Sequence, residues 1–400
     1  MLGGMAKILA VGNAVLDRIV SVKHYPEENT ESRCLAMHEN LGGNCVNSLN
    51  VLAQLHHDVS WCGSMAQDNA NKTLISLLTR AKIDYSAAQS YKQGTTPIST
   101  ILLSQQTGSR TISHFRDLPE LDFDYFAQLA IEEYDWLHFE GRNLSALAGM
   151  LNIASCFLTH QPISLEIEKE RDGIDELLSK AHILMFSQAF ALGRGYSEAE
   201  TFLHAMQKRA PDAKLFCGWG SIGAFAMEKN KFYQVAANTD TSVIDTLGAG
   251  DVFNAGIIDA LIRGHSTAEA LALAVRLAEK KIAQQGINNL FSNDSKTLLA
   301  HLNKLTAHKV TVVEAKEKSI VLARIGDSVK AYVNNCPHAN VPLNSMYKVE
   351  IDPREITLKC SVHDAFFRVE DGFCVRGPCQ NQALQAVPIV IDAQGRIFLD

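Results

Sequence analysis

From residue 6 to about 290 the hydrophobic positions change period again and again. Short runs such as ILAVGN, VSWCGSM and PISTILL alternate with stretches whose apolar residues recur at helical spacing, near 44–55 and 69–80. The apolar start AKILAVGNAVLD is broken by Lys7, Asn13 and Asp17 and reads as a first β-strand. Strands alternating with helices predict an α/β domain built on a doubly wound, mostly parallel sheet. Two segments follow a different rule. SRCLAMHEN (32–40) and TTPISTILLSQQTGSRTISHF (95–115), the latter folded at a QQTGS turn, predict a small antiparallel sheet lying outside the main layer.

The sharpest local pattern spans 245–285, where DTLGAGD enters VFNAGIIDALIR and stops at Gly264. Gly264 suits a left-handed C-terminal cap. Ser266 and Glu269 form a capping box for a second helix, whose apolar face includes Leu271, Val275, Ala278 and Ile282. Past Gly286 the pattern weakens, and from His308 the chain becomes short β-runs: KVTVVEA, SIVLARI, VKAYVNN, EITLKC, PIVIDA and RIFLD. These predict an all-β module of about ninety residues, so the expected domains are 1–304 and 305–400.

Four hundred residues agree with one large domain and a smaller one. A net charge of -7 argues against a nucleic-acid partner, and no apolar run reaches the length of a membrane span. Small molecules are the expected partners. Nine cysteines without a secretory signal predict free thiols or metal ligands in a reducing, cytoplasmic setting. Four of the nine, Cys336, Cys360, Cys374 and Cys379, crowd into the C-terminal module, which therefore needs its own explanation.

Asp245-Thr-Leu-Gly248-Ala249-Gly250-Asp251 lies where a loop enters a helix. Glycine and alanine keep side chains clear, so the first backbone N–H groups and the helix dipole can face an anion. Asp251, in the first turn, is placed to accept the proton of an attacking hydroxyl; its bland alternative is a helix cap. Taken with GNAVLD, LGGNCVNS, GSRTI, FEGRN and AEKKIAQQG in this order, the segment resembles the signature of the ribokinase-like, or phosphofructokinase-B, carbohydrate kinases, nearest their ketohexokinase branch. The resemblance covers roughly residues 6–290. It implies ATP with Mg2+ as co-substrate, Asp251 as catalytic base and Gly248, Ala249 and Gly250 as an anion hole. It further implies that Asp17, Gly43, Asn44 and Asn47 bind sugar hydroxyls, with Arg110 near the transferred phosphate. Members of this branch often pair through the β lid, so a homodimer is expected.

Gly218-Trp-Gly220-Ser-Ile-Gly223 spells GxGxxG, a pattern associated with dinucleotides. A dinucleotide fingerprint opens a helix, whereas here AFAM, EKNK and KFYQV read as a hairpin. The segment resembles the family's nucleotide-side loop instead, which implies that Gly220 and Gly223 approach ATP. One departure stands out: the Asn-x-x-Glu pattern that many relatives use for magnesium and phosphate is replaced by Ser187-Gln-Ala-Phe190.

In the C-terminal module, Cys336-Pro-His338 and Cys360-Ser-Val-His363 offer two thiolates and two imidazoles. That donor set suits a tetrahedral zinc or a 2Fe-2S cluster with histidines on one iron. CPHANVPL, CSVHDAFF and DGFCVRGPC resemble the cluster loops and Gly-Pro loop of Rieske proteins. The resemblance implies Cys336 and Cys360 on one iron, His338 and His363 on the other, and Cys374 and Cys379 as packed thiols. The joint expectation is a kinase for a small sugar, with a ketohexose such as fructose giving the 1-phosphate, tethered to a redox module with a redox partner of its own. The alternatives are an electron-transfer protein on a non-catalytic kinase scaffold, or a kinase for another sugar or a nucleoside.

Overall fold

Alternation within the strand Lys7–Val11 separates two cores. Ile8 and Ala10 pack with Val46, Leu49, Val252, Ile257 and Leu271, whereas Leu9 and Val11 pack with Leu147, Leu151, Phe202 and Leu203. A strand apolar on both faces must be covered on both, and helices cover each side here. Burying Ile8, Leu9 or Val11 contributes about 1.5 to 3 kcal/mol each. The computed structural model describes residues 4–107, 109–158, 160–239, 241–291, 298–315, 318–326, 328–352, 354–391 and 395–399. The chain forms two compact units, Met1–Phe291 and Ser292–Asp400. The boundary expected near residue 305 falls inside the second unit, because Leu298–His301 pairs antiparallel with Arg396–Leu399.

The main sheet of the first unit has eight strands. Lys7–Val11 lies between Asp58–Cys62 and Trp136–Glu140, and Ile163–Ile167, Ile183–Phe186 and Lys214–Gly218 follow, all parallel. An antiparallel hairpin, Gly223–Glu228 with Lys231–Ala236, closes the far edge. The order reverses at Lys7–Val11, so the carboxyl ends of that strand and of Trp136–Glu140 open a crevice of the kind in which doubly wound sheets bind ligands.

The lid differs from expectation in two respects. The start of the chain is two strands, Lys7–Val11 in the main sheet and Val15–Val22 in the lid. The lid is also mixed: Ala36–Gly42 and Arg110–Phe115 pair antiparallel at its edges, while its central pair, Val15–Val22 with Ile98–Ser104, is parallel. The parallel pair follows from the first point, since the chain enters the lid directly from the main sheet. The capping box forms as expected, with Ser266 and Glu269 bonded reciprocally at the start of Thr267–Ile282.

The second unit consists of short antiparallel sheets. Val310–Ala315, Lys318–Ile325 and Ser328–Val333 form one; Ile351–Asp352, Thr357–Lys359, Phe366–Arg368 and Cys374–Arg376 form another. Among the described residues no helix of the chain is long and apolar enough to cross a membrane.

Candidate functional site

At the reversal point the backbone N–H of Asn13 donates to Glu140 Oε2 at 2.9 Å. The N–H of Gly141 donates to the carbonyl of Glu166 at 2.8 Å, tying two strand ends together. Gly43 precedes the helix Asn44–Gln54 with φ +100°, and a Cβ there would lie 2.2 Å from the Asn13 carbonyl oxygen, so only glycine lets this helix start so close. Its first residue, Asn44, donates from Nδ2 to Glu166 Oε1 and to Glu168 Oε2, both at 3.3 Å. Asn254 donates to the same Glu166 Oε1 at 3.0 Å. Glu166 Oε2 is buried and has no partner. Burial, then the charges of Asp251, Glu140 and Glu168, push this carboxyl well above the ordinary range, against the hydrogen bond from Asn44.

Asp251 lies in the first turn of the helix Ala249–Ile262 and is buried. Asn47 Nδ2 donates to Asp251 Oδ2 at 2.8 Å, and Ser48 Oγ donates to the Asp251 carbonyl at 3.0 Å, which docks one helix start on the other. Burial raises the Asp251 carboxyl to about 7, opposed by the Asn47 bond and assisted by Glu168, Glu140 and Asp17. Gly248 caps the helix at φ +78°, a left-handed conformation that favours glycine, and Ala249 and Gly250 follow it without bulk. Asp17, Asn47 and Gly248 line one cavity together with Asn40, Asp245 and Gly286. Burial pushes Asp17 up to about 6 against a hydrogen bond from Ser99.

Arg110 reaches from the lid to Thr246 Oγ1 at 2.7 Å, just before the glycine turn. Beneath that turn, Lys281 Nζ is completely buried and donates to Asp245 Oδ2 at 2.9 Å and to the Asp245 carbonyl at 2.8 Å. Asp245 also accepts from Leu247 N and Gly286 N, both at 2.9 Å, so one carboxylate fixes the loop leading into the candidate anion hole.

Gly220 and Gly223 flank a single 3-10 turn that leads into the edge hairpin, as the reading against a dinucleotide fingerprint requires. They do not line the Asp17 cavity. A Cβ at Gly220 would lie 3.4 Å from Gln188 Oε1, so the Ser187-Gln-Ala-Phe190 segment sits beside this loop. Glu166, Glu168, Asn254 and Lys281 were absent from the residues expected at the site. A signal for Glu166 existed: it is the one charge in the strand ISLEI, and a carboxylate inside a buried strand calls for a partner.

In the second unit, Cys336, Cys360 and His363 bring their ligand atoms within 4.8 Å of one another. The His338 and His363 rings lie edge to face with centroids 4.5 Å apart. The loops are held by Cys336 N donating to Val341 O and Cys360 N to Ala365 O, each at 2.8 Å. A further tie, Ser361 N to Leu343 O at 2.8 Å, joins the second loop to the first. His363 Nδ1 is buried without a partner. Burial, reinforced by the neighbouring Cys360 and Cys379 thiols, pushes Cys336 up to about 12. Two buried thiols beside an orphaned imidazole nitrogen form a donor set that suits a bound cation.

Residues 5–294 match the family model of the pfkB family carbohydrate kinases, and residues 295–390 match that of the Rieske 2Fe-2S domain. Over 293 residues the chain is 34% identical to ketohexokinase of Mus musculus, a match spanning 71% of this chain and 98% of that protein. It is 26% identical over 286 residues to fructosamine kinase FrlD of Bacillus subtilis (strain 168), covering 70% of this chain and 92% of that one. Among solved structures, ribokinase from Thermotoga maritima is similar with a TM-score of 0.58 at 18% identity, over 72% of this chain and 96% of that chain. Arabidopsis thaliana ribokinase complexed with ribose and ATP is similar with a TM-score of 0.57 at 19% identity, over 70% and 94%. These two likenesses concern the fold alone.

Proposed function

The chain belongs to the pfkB family of carbohydrate kinases and carries a C-terminal Rieske domain, and on that premise we propose that its first unit phosphorylates a ketohexose such as fructose at the 1-hydroxyl, with Asp251 as base. The observation that carries this reading is the position of Asp251: a buried carboxylate in the first turn of a helix, anchored by Asn47, with Asp17 and Gly248 on the adjoining cavity. Asp17, Asn44 and Asn47 orient the sugar through paired acceptors and donors. Asp251 takes the proton of the attacking hydroxyl as its oxygen bonds to the γ-phosphorus of ATP and the bond to the β-phosphate oxygen breaks, releasing ADP. The N–H groups of Gly248, Ala249 and Gly250 at the helix start, and Arg110 from the lid, face the charge that develops on the transferred group.

Magnesium accompanies ATP in such transfers. Glu166 Oε2 is a buried hard oxygen donor without a partner, and Glu168, paired with Lys169 at 3.6 Å, shares the Asn44 amide with it, which fits a divalent ion. They would hold it where relatives use Asn-x-x-Glu, and the ion would neutralise phosphate charge. Gly220 and Gly223 would approach ATP, in a turn that leads into the edge hairpin. Exposed Leu35, Met37, Ile112 and Phe115 on the lid support pairing with a second copy of the chain.

A Rieske domain implies a 2Fe-2S cluster, and Cys336, Cys360, His338 and His363 would hold it, as the orphaned His363 Nδ1 and the crowded thiols favour. Bound there, it supplies one-electron transfer, for which a redox partner is needed.

Asp17→Ala tests the sugar site. With one hydroxyl left unpaired in a desolvated pocket, binding weakens by about 1 to 3 kcal/mol. The KM for the ketohexose rises accordingly while the KM for ATP stays unchanged. A sugar KM that does not move places the hydroxyls elsewhere.

A further inference from the structure

The packed thiols near the candidate cluster are not equivalent. Cys374 Sγ donates to the Arg376 carbonyl at 3.4 Å. Cys379 is fully buried, and its Sγ lies 3.8 Å from Cys336 Sγ, within reach of a sulfur hydrogen bond. The turn that delivers it is fixed on both sides. Gly377 has φ +111°, and a Cβ there would fall 2.7 Å from Ala365 Cα and 3.0 Å from the Asp364 carbonyl oxygen, so the turn presses against the loop that carries His363. On the other side, Gln382 N donates to Cys379 O and Cys374 N donates to Gln382 O, both at 2.9 Å. Cys379 thus faces one candidate ligand sulfur from a turn held on both sides.

We propose that Cys379 is a positioning residue for the redox centre: as a thiol it donates an S–H···S hydrogen bond to the Cys336 sulfur and thereby raises the reduction potential of the 2Fe-2S cluster. This rests on the Rieske reading of the second unit. Bound to iron, Cys336 is a thiolate and a better acceptor than a thiol. The reduced centre carries one more negative charge than the oxidised one, so a donor to its sulfur stabilises the reduced form more. An S–H group is a weak donor, which sets the scale at about threefold to tenfold in the ratio of reduced to oxidised centre. A tenfold change corresponds to about 59 mV for one electron.

The test is a redox titration of the full-length protein, followed by the electron paramagnetic resonance of the reduced cluster. Cys379→Ala should keep the cluster and lower its midpoint potential by up to about 59 mV. Cys379→Ser, which keeps a donor of similar size, should stand closer to the wild type. An unchanged potential in Cys379→Ala, or equal shifts in the alanine and serine variants, overturns the proposal. If Cys379→Ala fails to hold a cluster, the iron-sulfur stretching bands of the wild type decide. They should shift in D2O by more than those of Cys379→Val, which fills the same space without a donor, and equal shifts overturn the proposal. Iron content and the paramagnetic signal of the wild type are read first: zinc in place of iron sinks the Rieske reading itself, whereas a normal cluster indifferent to Cys379 sinks only this inference.

Discussion

Asp251→Asn lowers kcat for sugar phosphorylation by about 10²- to 10⁴-fold, the loss expected when a general base is removed. The amide has nearly the size of the carboxylate and can still bond Asn47, so the junction of the two helix starts persists and ATP binds as before. The wild type should show the same base in its pH dependence. Burial raises the Asp251 carboxyl to about 7, and in the proposed role the group would work only unprotonated. As pH falls through that value the carboxylate takes up a proton, so kcat/KM for the sugar declines on the acid side with a midpoint near 7. Turnover near the wild-type level in the asparagine variant, or an acid limb centred near pH 4, would remove Asp251 from the role.

His363→Ala abolishes the cluster. In the proposed ligand set each histidine would supply one of only two nitrogen ligands to an iron, and the His363 nitrogen is the buried one left without a partner. The variant, purified anaerobically as the full chain, should lack the visible colour and the paramagnetic signal of the reduced wild type, and its iron content should drop toward zero. A His363→Ala protein that keeps the wild-type spectrum would show that the metal lies elsewhere.

The alternation of strand and helix was readable because each strand carries its own apolar run and each helix its own caps; the Ser266–Glu269 box formed where the residues alone placed it. The GxGxxG decoy was also separable, because Gly223 begins a strand rather than a helix. The path of the first strand was not readable. Nothing local in AKILAVGNAVLD marks the step from main sheet to lid, which comes from pairing with Ile98–Ser104, distant in sequence. Candidate residues inside contiguous motifs, such as Asp17, Asn47 and Gly248, come together on one cavity. Glu166 and Lys281 escaped because their meaning depends on partners far along the chain. Glu166 meets Asn44 and Asn254 only once the sheet order is set, and Lys281 meets Asp245 only once two helices pack. Cys379 is a similar case, since its distance to Cys336 depends on how the Gly377 turn packs on Ala365.

The central claim is a phosphoryl transfer to a sugar hydroxyl, and the most direct measurement is of the product. The full-length protein, incubated with ATP, Mg2+ and carbon-13-labelled fructose, should yield ADP and one phosphomonoester in equal amounts, with phosphorus–carbon coupling that places the phosphate on the 1-hydroxyl. ADP formed without a sugar phosphate, or no ADP with any ketohexose, would contradict it.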